Sequence, residues 1–382
     1  MTNILDYLDW RGDIRMEKDP FNTVDAIILS EICYLPLEHL APKAFCIGKP
    51  LLEIAKAFQP DAVKTSEKPL TFQDDVILLK KAVKSERFRS VRIMGAKRIT
   101  DPAQNVQFAA FTCVLPTGEY YITFRGTDSS IAGWKEDFSF SYENETAGQR
   151  YATEYLNSHD GASHELLIGG HSKGGNFAVY AAVSCVPRVK KLIRRIYSFD
   201  SPGFRDEFAA SEAYHAMLPL IVSVIPQSSL IGQILTSHTE HRIVHSHAGG
   251  IMQHFMYSWE IMRNHPVYTE ELSRLGVLIN RTLRHWLSTV DDDSRRSLTE
   301  ALFDVISASD ADTFGEISQN KLKSVKKIYA AMKALDPDQQ WVVRKVIKKL
   351  ISSSGLALRT EIRQFTKRED KEWLTMHPKH PD

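Results

Sequence analysis

Residues Gly170-His171-Ser172-Lys173-Gly174 have the types and spacing of a serine nucleophile presented on a tight turn. The apolar run Leu166-Leu167-Ile168 precedes them, and the apolar helix pattern beginning Asn176-Phe177-Ala178 follows at once. Strand, sharp turn, helix is the context in which Gly-x-Ser-x-Gly holds a hydroxyl at the top of a sheet. The turn forces the serine into a strained backbone and requires small neighbours two residues to either side, which the glycines supply. Gly175 leaves further room where the helix packs back on its strand. The positive end of that helix then lies beneath Ser172 Oγ. The chemistry is acyl transfer through a covalent intermediate on Ser172.

Acyl transfer passes through a tetrahedral oxyanion, which needs preorganised donors aimed at the developing charge. The backbone N–H of Lys173, just after the nucleophile, is one candidate; its side chain is expected to point away, with its charge incidental. Upstream lies Tyr120-Tyr121-Ile122-Thr123-Phe124-Arg125-Gly126-Thr127-Asp128, followed by Gly133-Trp134-Lys135-Glu136-Asp137-Phe138. Here the chain resembles the class 3 (triacylglycerol) lipases, with their Phe-Arg-Gly-Thr/Ser oxyanion loop and a Trp-x-x-Asp element shortly after. It is closer still to a bacterial family of lipase-like proteins of unassigned substrate, sharing an opening like Ile4-Leu5-Asp6-Tyr7-Leu8-Asp9-Trp10-Arg11-Gly12-Asp13. The resemblance covers residues 1 to about 260 and implies an α/β-hydrolase fold. It also implies a second oxyanion donor at the Thr127 N–H, with the hydroxyl as a possible third. Arg125 and Asp137 are expected to pair and fix that loop, because buried charges are seldom tolerated alone.

A histidine after the nucleophile must serve as general base. His215 falls in a predicted helix, Glu212 to Met217, and His238, His241, His245 and His247 lie in a polar stretch of loop and short strand. His254 follows Gly249-Gly250, where the backbone is free to bend and an aromatic-rich helix is expected to begin. The related lipase-like sequences match this chain at Gln253-His254 and Ser258-Trp259. His254 is the preferred base, with His247 and His245 as alternatives. The cluster has no Cys-x-x-Cys or His-Glu-x-x-His partner, so neither metal nor cofactor is expected.

The catalytic acid is where the chain departs from the class 3 lipases. Those carry Asp-x-Val-Pro after the second strand beyond the nucleophile; here the matching stretch is Ser223-Val224-Ile225-Pro226, with serine in the carboxylate's place. Asp200, at the end of the preceding strand, is the preferred acid, a position that resembles the pancreatic-type lipases. Asp206 is the alternative.

Val91–Ile99, Gln107–Val114 and Tyr120–Phe124 read as strands, with Pro116 to Glu119 as a hairpin turn. Helices and strands then alternate: helix 148–158, strand 165–168, helix 176–186, strands 192–199 and 218–225. That alternation predicts a mostly parallel sheet with helices on both faces. Three regions follow: 1–88, an N-terminal helical segment packing on the core; 89–265, the hydrolase core; and 266–382, a C-terminal helical appendage.

With 382 residues and 43% hydrophobic content the chain can bury a large core. The net charge of +1 marks no nucleic-acid binder. Four cysteines without paired spacing read as free thiols in a reducing compartment. No secretory signal or membrane span is read, so the expectation is a cytoplasmic protein. From Lys321 to Leu350, nine Lys/Arg stand against two Asp/Glu. A solvated helix face is the simple reading, with peripheral contact to anionic membranes as the functional one. The function expected is hydrolysis of a carboxylic ester, an acyl lipid or other hydrophobic ester, by Ser172, His254 and Asp200. The alternatives are a catalytically silent lipase-like binding protein, or a thioesterase or acyltransferase using the same triad.

Overall fold

Strand register explains how distant residues come to share one end of a sheet. The computed structural model describes residues 2–64, 68–101, 106–127, 131–274, 276, 277, 291–307, 330, 331, 333 and 335. The chain divides into two compact units, Met1–Arg296 and Ser297–Asp382. The first holds a mixed sheet built from β1 (Lys49–Pro50), β2 (Arg92–Asp101), β3 (Val106–Val114), β4 (Tyr120–Phe124), β5 (Leu166–His171), β6 (Ile193–Phe199), β7 (Ile221–Pro226) and β8 (His241–Val244). A two-stranded ribbon, β9 (Ile261–Met262) with β10 (His265–Pro266), follows, and β11 (Tyr268–Thr269) returns to the main sheet.

Among the described residues the sheet order is β1-β2-β3-β4-β5-β6-β7-β8-β11. The five strands β4 to β8 run parallel, and β1, β2, β3 and β11 join antiparallel at the two sides. The antiparallel side is the predicted meander: β3 turns into β4 through the expected hairpin, where Gly118 takes φ +102°, a conformation that glycine adopts without strain. In the parallel part, Phe124 lies opposite Gly170, His171 opposite Phe199, and Phe199 opposite Val224. The carboxyl ends of β4, β5, β6 and β7 therefore come level, so the residues that follow them emerge side by side.

Alternation along the strands divides the interior in two. Phe111, Cys113, Tyr121, Leu167, Tyr197 and Val224 face a core shared with α1 (Ile4–Arg11), α2 (Thr23–Ile32), α3 (Leu51–Ala57) and α4 (Phe72–Lys84). Phe108, Ala110, Ile122, Leu166, Ile168 and Ile196 face the other core, with α6 and α7. Those helices belong to the series α5 (Ile131–Ser139), α6 (Ala147–Asn157), α7 (Lys173–Ser184), α8 (Pro187–Lys190), α9 (Asp206–Ala209) and α10 (Glu212–Met217). Full burial of each large side chain contributes roughly 1.5–3 kcal/mol, so both layers are strongly held.

The N-terminal helices are anchored by polar chemistry as well. Asn22 and Asp25 form a capping box at the start of α2, a device worth about 1 kcal/mol. Asp25 also accepts from Arg87 and Tyr7, inside a fully buried ion pair. Such a pair costs much to break on one side only.

Two stretches differ from expectation. Residues after Gly250 form two short 3-10 turns, Gly250–His254 and Met256–Ser258, instead of an aromatic-rich helix. The buried Trp259 indole donates to the Gln253 carbonyl at 2.8 Å, folding the segment back on itself before a helix can extend. Most of the helical appendage expected over 266–382, with its basic stretch 321–350, lies outside the described residues; the helix Asp292–Ser307 is seen.

Candidate active site

Ser172 follows β5 directly and opens α7 with φ 57° and ψ −130°. A non-glycine residue there is strained, and surrounding bonds must hold it. Its N–H donates to the Phe199 carbonyl at 2.8 Å, and its own carbonyl accepts from Gly175 at 3.0 Å. A Cβ on Gly174 would meet the Phe124 carbonyl oxygen at 2.1 Å, so only glycine lets α7 approach β4 this closely. The elbow expected from the motif is present.

Asp200 follows β6 in the same way. Its N–H donates to the Val224 carbonyl at 2.8 Å, and its φ is 42°, in the left-handed region that Asp and Asn tolerate best. One carboxylate oxygen accepts the His254 Nδ1–H at 2.6 Å. The other accepts from the Ser229 hydroxyl and from the Gly232 N–H at 3.1 Å. These donors fix the orientation of a fully buried carboxylate. Asn176 braces the same turn, donating to the carbonyls of Pro202 and Gly203 while accepting from Gln149. Asp206, the alternative acid, instead accepts from Thr236 at an exposed position. Ser223, at the class 3 carboxylate position, bonds His241 Nδ1 at 2.8 Å.

Because Nδ1 faces Asp200, Nε2 is the ring nitrogen left to exchange a proton, the arrangement a general base needs. The ring sits beside the residue that precedes Ser172: the His254 and His171 centroids are 4.4 Å apart. His171 Nε2 donates to the His254 carbonyl at 2.8 Å, while its Nδ1 accepts from the Tyr34 hydroxyl at 2.9 Å. Burial, then the nearby His254 charge, holds the His171 pKa well below the usual histidine range. A neutral His171 can therefore pack against His254 without repelling the imidazolium that base catalysis would create. Sequence reasoning singled out neither His171 nor Tyr34; the only local signal was the side chain between Gly170 and Ser172.

The His254 loop is pinned from several sides. Gln253 accepts from the Ser228 N–H at 2.9 Å and donates to the Ala248 carbonyl at 3.0 Å. The Tyr257 hydroxyl donates to Asp75 on α4 at 2.7 Å. Thr2 gives its hydroxyl proton to the Ile261 carbonyl and accepts the Ile261 N–H at 2.9 Å. The Gln253 and Trp259 that mark the lipase-like resemblance are thus the residues that shape this loop. His245, an alternative base, instead bonds Glu260 at 2.8 Å.

On the oxyanion side, the Thr127 hydroxyl donates to Asp137 at 2.7 Å. Burial pushes the Asp137 pKa up to about 6, opposed by the Lys173 charge and by the Thr127 bond. The expected Arg125–Asp137 pair is absent: Arg125 pairs with Glu38 at 3.2 Å. The two loop charges find separate partners because Glu38 comes from the N-terminal region, which the local sequence does not reveal. Nor is the Lys173 charge incidental. Its ammonium is fully buried and pairs with Glu136 at 2.8 Å, while Glu136 also accepts the Gly148 N–H. That cluster ties α5, α6 and the first turn of α7 together. A cleft of about 600 Å³ lined by Glu38, Lys43, Phe45, Lys97 and Tyr155 contains none of Ser172, Asp200 and His254.

Parallel central strands flanked by helices, with a strained serine between strand and helix, define an α/β-hydrolase-like fold with a lipase-like elbow. The chain belongs to the Mbeg1-like family, whose profile matches residues 82–304. No curated protein matches it significantly. Similar solved structures include the native Rhizomucor miehei lipase propeptide complex, at 16% identity and TM-score 0.33, covering 41% of this chain and 57% of that one, and M37 lipase, at 15% identity and TM-score 0.36, covering 55% and 68%. The chain thus spans less than two thirds of the Rhizomucor protein. Among the described residues no helix is long and apolar enough to cross a membrane.

Proposed function

We propose that the protein is a serine hydrolase that cleaves a carboxylic ester through an acyl-enzyme on Ser172. The observation that carries this reading is the 2.6 Å bond from His254 Nδ1 to Asp200, made beside the strained Ser172 elbow. A buried carboxylate orienting an imidazole next to a serine on a strained turn has a direct use in acyl transfer.

In the reaction, Ser172 Oγ attacks the ester carbonyl as its proton passes to His254 Nε2. The oxyanion is received by the backbone N–H groups of Lys173 and Thr127. Because the Thr127 hydroxyl gives its proton to Asp137, it holds the loop in place and is not a third donor. Collapse expels the alcohol, protonated by His254, and leaves Ser172 acylated. Water, deprotonated by His254, then releases the acid and restores the serine. Asp200 keeps the imidazole in its working tautomer and stabilises its cation. The Phe124-Arg125-Gly126-Thr127 resemblance to triacylglycerol lipases points to an acyl lipid or similarly hydrophobic ester as substrate.

The test is p-nitrophenol release from acyl esters of graded chain length, with Ser172→Ala as the control, together with a fluorophosphonate probe. Wild type should turn over and be labelled at Ser172, with longer acyl chains preferred. Equal turnover by wild type and Ser172→Ala ends this reading, and a folded wild type that neither labels nor turns over favours a silent binding role.

A further inference from the structure

We propose that His245, His247 and Glu260 form a binding site for a divalent transition-metal cation of zinc type, which clips shut the base of the loop carrying His254. The three side chains place one ligand atom each within 4.8 Å of one another. His245 and His247 are two apart on extended backbone, so their rings share a side, and Glu260 lies on the facing segment.

The backbone beneath them is fixed. Glu260 N–H donates to the His245 carbonyl at 2.9 Å, His247 N–H donates to Ser258 at 2.9 Å, and Ser246 bridges Trp259 between them. His245 N–H and Val267 N–H extend the ladder on the other side, each at 2.8 Å. The three ligands therefore project from a prebuilt ladder, and only side-chain rotation separates them from a coordination geometry.

Two imidazoles and one carboxylate are a common donor set for zinc, leaving a fourth position for water. At zinc bond lengths, tetrahedral ligand atoms sit about 3.3 Å apart. The His245–Glu260 pair, now 2.8 Å, must open slightly while the exposed His247 ring, centred 5.3 Å from that of His245, draws in. All three side chains are at least partly exposed, so that adjustment meets no packed core.

The consequence is positional. Residues 248–257 leave and return through this ladder, and His254 lies within them. A cation bridging His245 and His247 to Glu260 holds the two stems together across the loop's mouth. The proposal does not depend on ester hydrolysis: binding can be read equally in Ser172→Ala protein.

The experiment is zinc titration by calorimetry on chelator-stripped full-length protein in a non-coordinating buffer. One zinc per chain should bind in the micromolar range or tighter. His247→Ala, at an exposed position, should weaken binding at least about 100-fold, as loss of a direct ligand exceeds the 10–100-fold cost of losing a supporting bond. Glu260→Gln should weaken it too, and His238→Ala should not. Hydrogen exchange across residues 248–257 should slow on adding zinc in the wild type but not in His247→Ala. Undiminished binding by the folded His245→Ala/His247→Ala double variant overturns the site. Binding that leaves exchange in the loop unchanged overturns the clip.

Discussion

The two halves of the site are built by different means. Ser172 is set by backbone: strand register, one glycine contact and the start of a helix leave its position almost no freedom. His254 sits in a segment of short turns held by side chains from Thr2, α4 and the β5 end and by a backbone N–H of the β7–β8 connection. A nucleophile needs one strained conformation, which regular elements enforce. A base that moves a proton needs orientation and a tuned environment, which individual hydrogen bonds provide. Mutations on the first side should act as a switch, and those on the second as a graded adjustment.

The largest effect tests the switch. Ser172→Ala should lower kcat on the order of 10⁶-fold if the three residues act as a unit, measured by ester hydrolysis at saturating substrate. Next comes the link between the halves. Asp200→Asn keeps a side chain that tolerates the φ of 42°, so the backbone should hold while kcat falls about 10⁴-fold through the wrong imidazole tautomer. Asp206→Asn should change kcat by less than about tenfold, and the opposite ranking of these two variants would overturn the assignment of the acid.

The oxyanion loop comes third. A side chain on Gly126 would place its Cβ 2.1 Å from the Tyr34 hydroxyl and 2.6 Å from the His171 carbonyl oxygen. Gly126→Val should therefore cost about 10²–10³-fold in kcat by displacing the Thr127 N–H. Full activity in the folded variant would place the oxyanion donors elsewhere. A graded effect is expected from His171→Phe, which keeps a ring beside His254 but removes the bond to its carbonyl. A small misplacement of the base should cost about 10–100-fold in kcat with little change in KM; a loss equal to that of Ser172→Ala would erase the distinction between the halves.

The smallest effect concerns stability. Burial raises the Asp75 pKa from 3.8 to about 7, and Glu31 beside it is raised as well. Below about pH 4 the Asp75 carboxyl is protonated in both folded and unfolded chains. As pH rises towards 7, the unfolded carboxylate ionises while the folded one resists, so this group's contribution to stability is progressively lost. Asp75→Asn removes the linkage and should flatten the fall in stability between about pH 4 and 7, read by urea denaturation. An unchanged pH profile would show that Asp75 ionises freely in the folded protein.

Sequence legibility follows the same division. The elbow, the hairpin and the strands from β2 to β7 were readable because each depends on neighbours in the chain. Asp200 could be chosen over Ser223 because a serine carries no charge to stabilise an imidazolium. Roles that depend on remote partners stayed hidden. Arg125 meets Glu38, Lys173 meets Glu136, and His171 takes both Tyr34 and the His254 carbonyl. Nothing in residues 249–259 revealed that Trp259 would turn back onto Gln253 in place of a helix. Helix α5 went unread because its residues suggested a motif before they suggested periodicity.

The Thr2–Ile261 clasp has a consequence for how the molecule comes into being. Its partners are 259 residues apart. At a translation rate of about 5–20 residues per second, Thr2 leaves the ribosome roughly 13–50 seconds before the strand it must hold. Ser172 is synthesised well within that interval, as are β5 and α7, whose contacts are local and quick to form. The His254 loop and the stem that closes it come last. A nascent chain therefore carries Ser172 for many seconds before the His254 loop is secured. The two come into their working arrangement only when Thr2 and the strand at Ile261 have met.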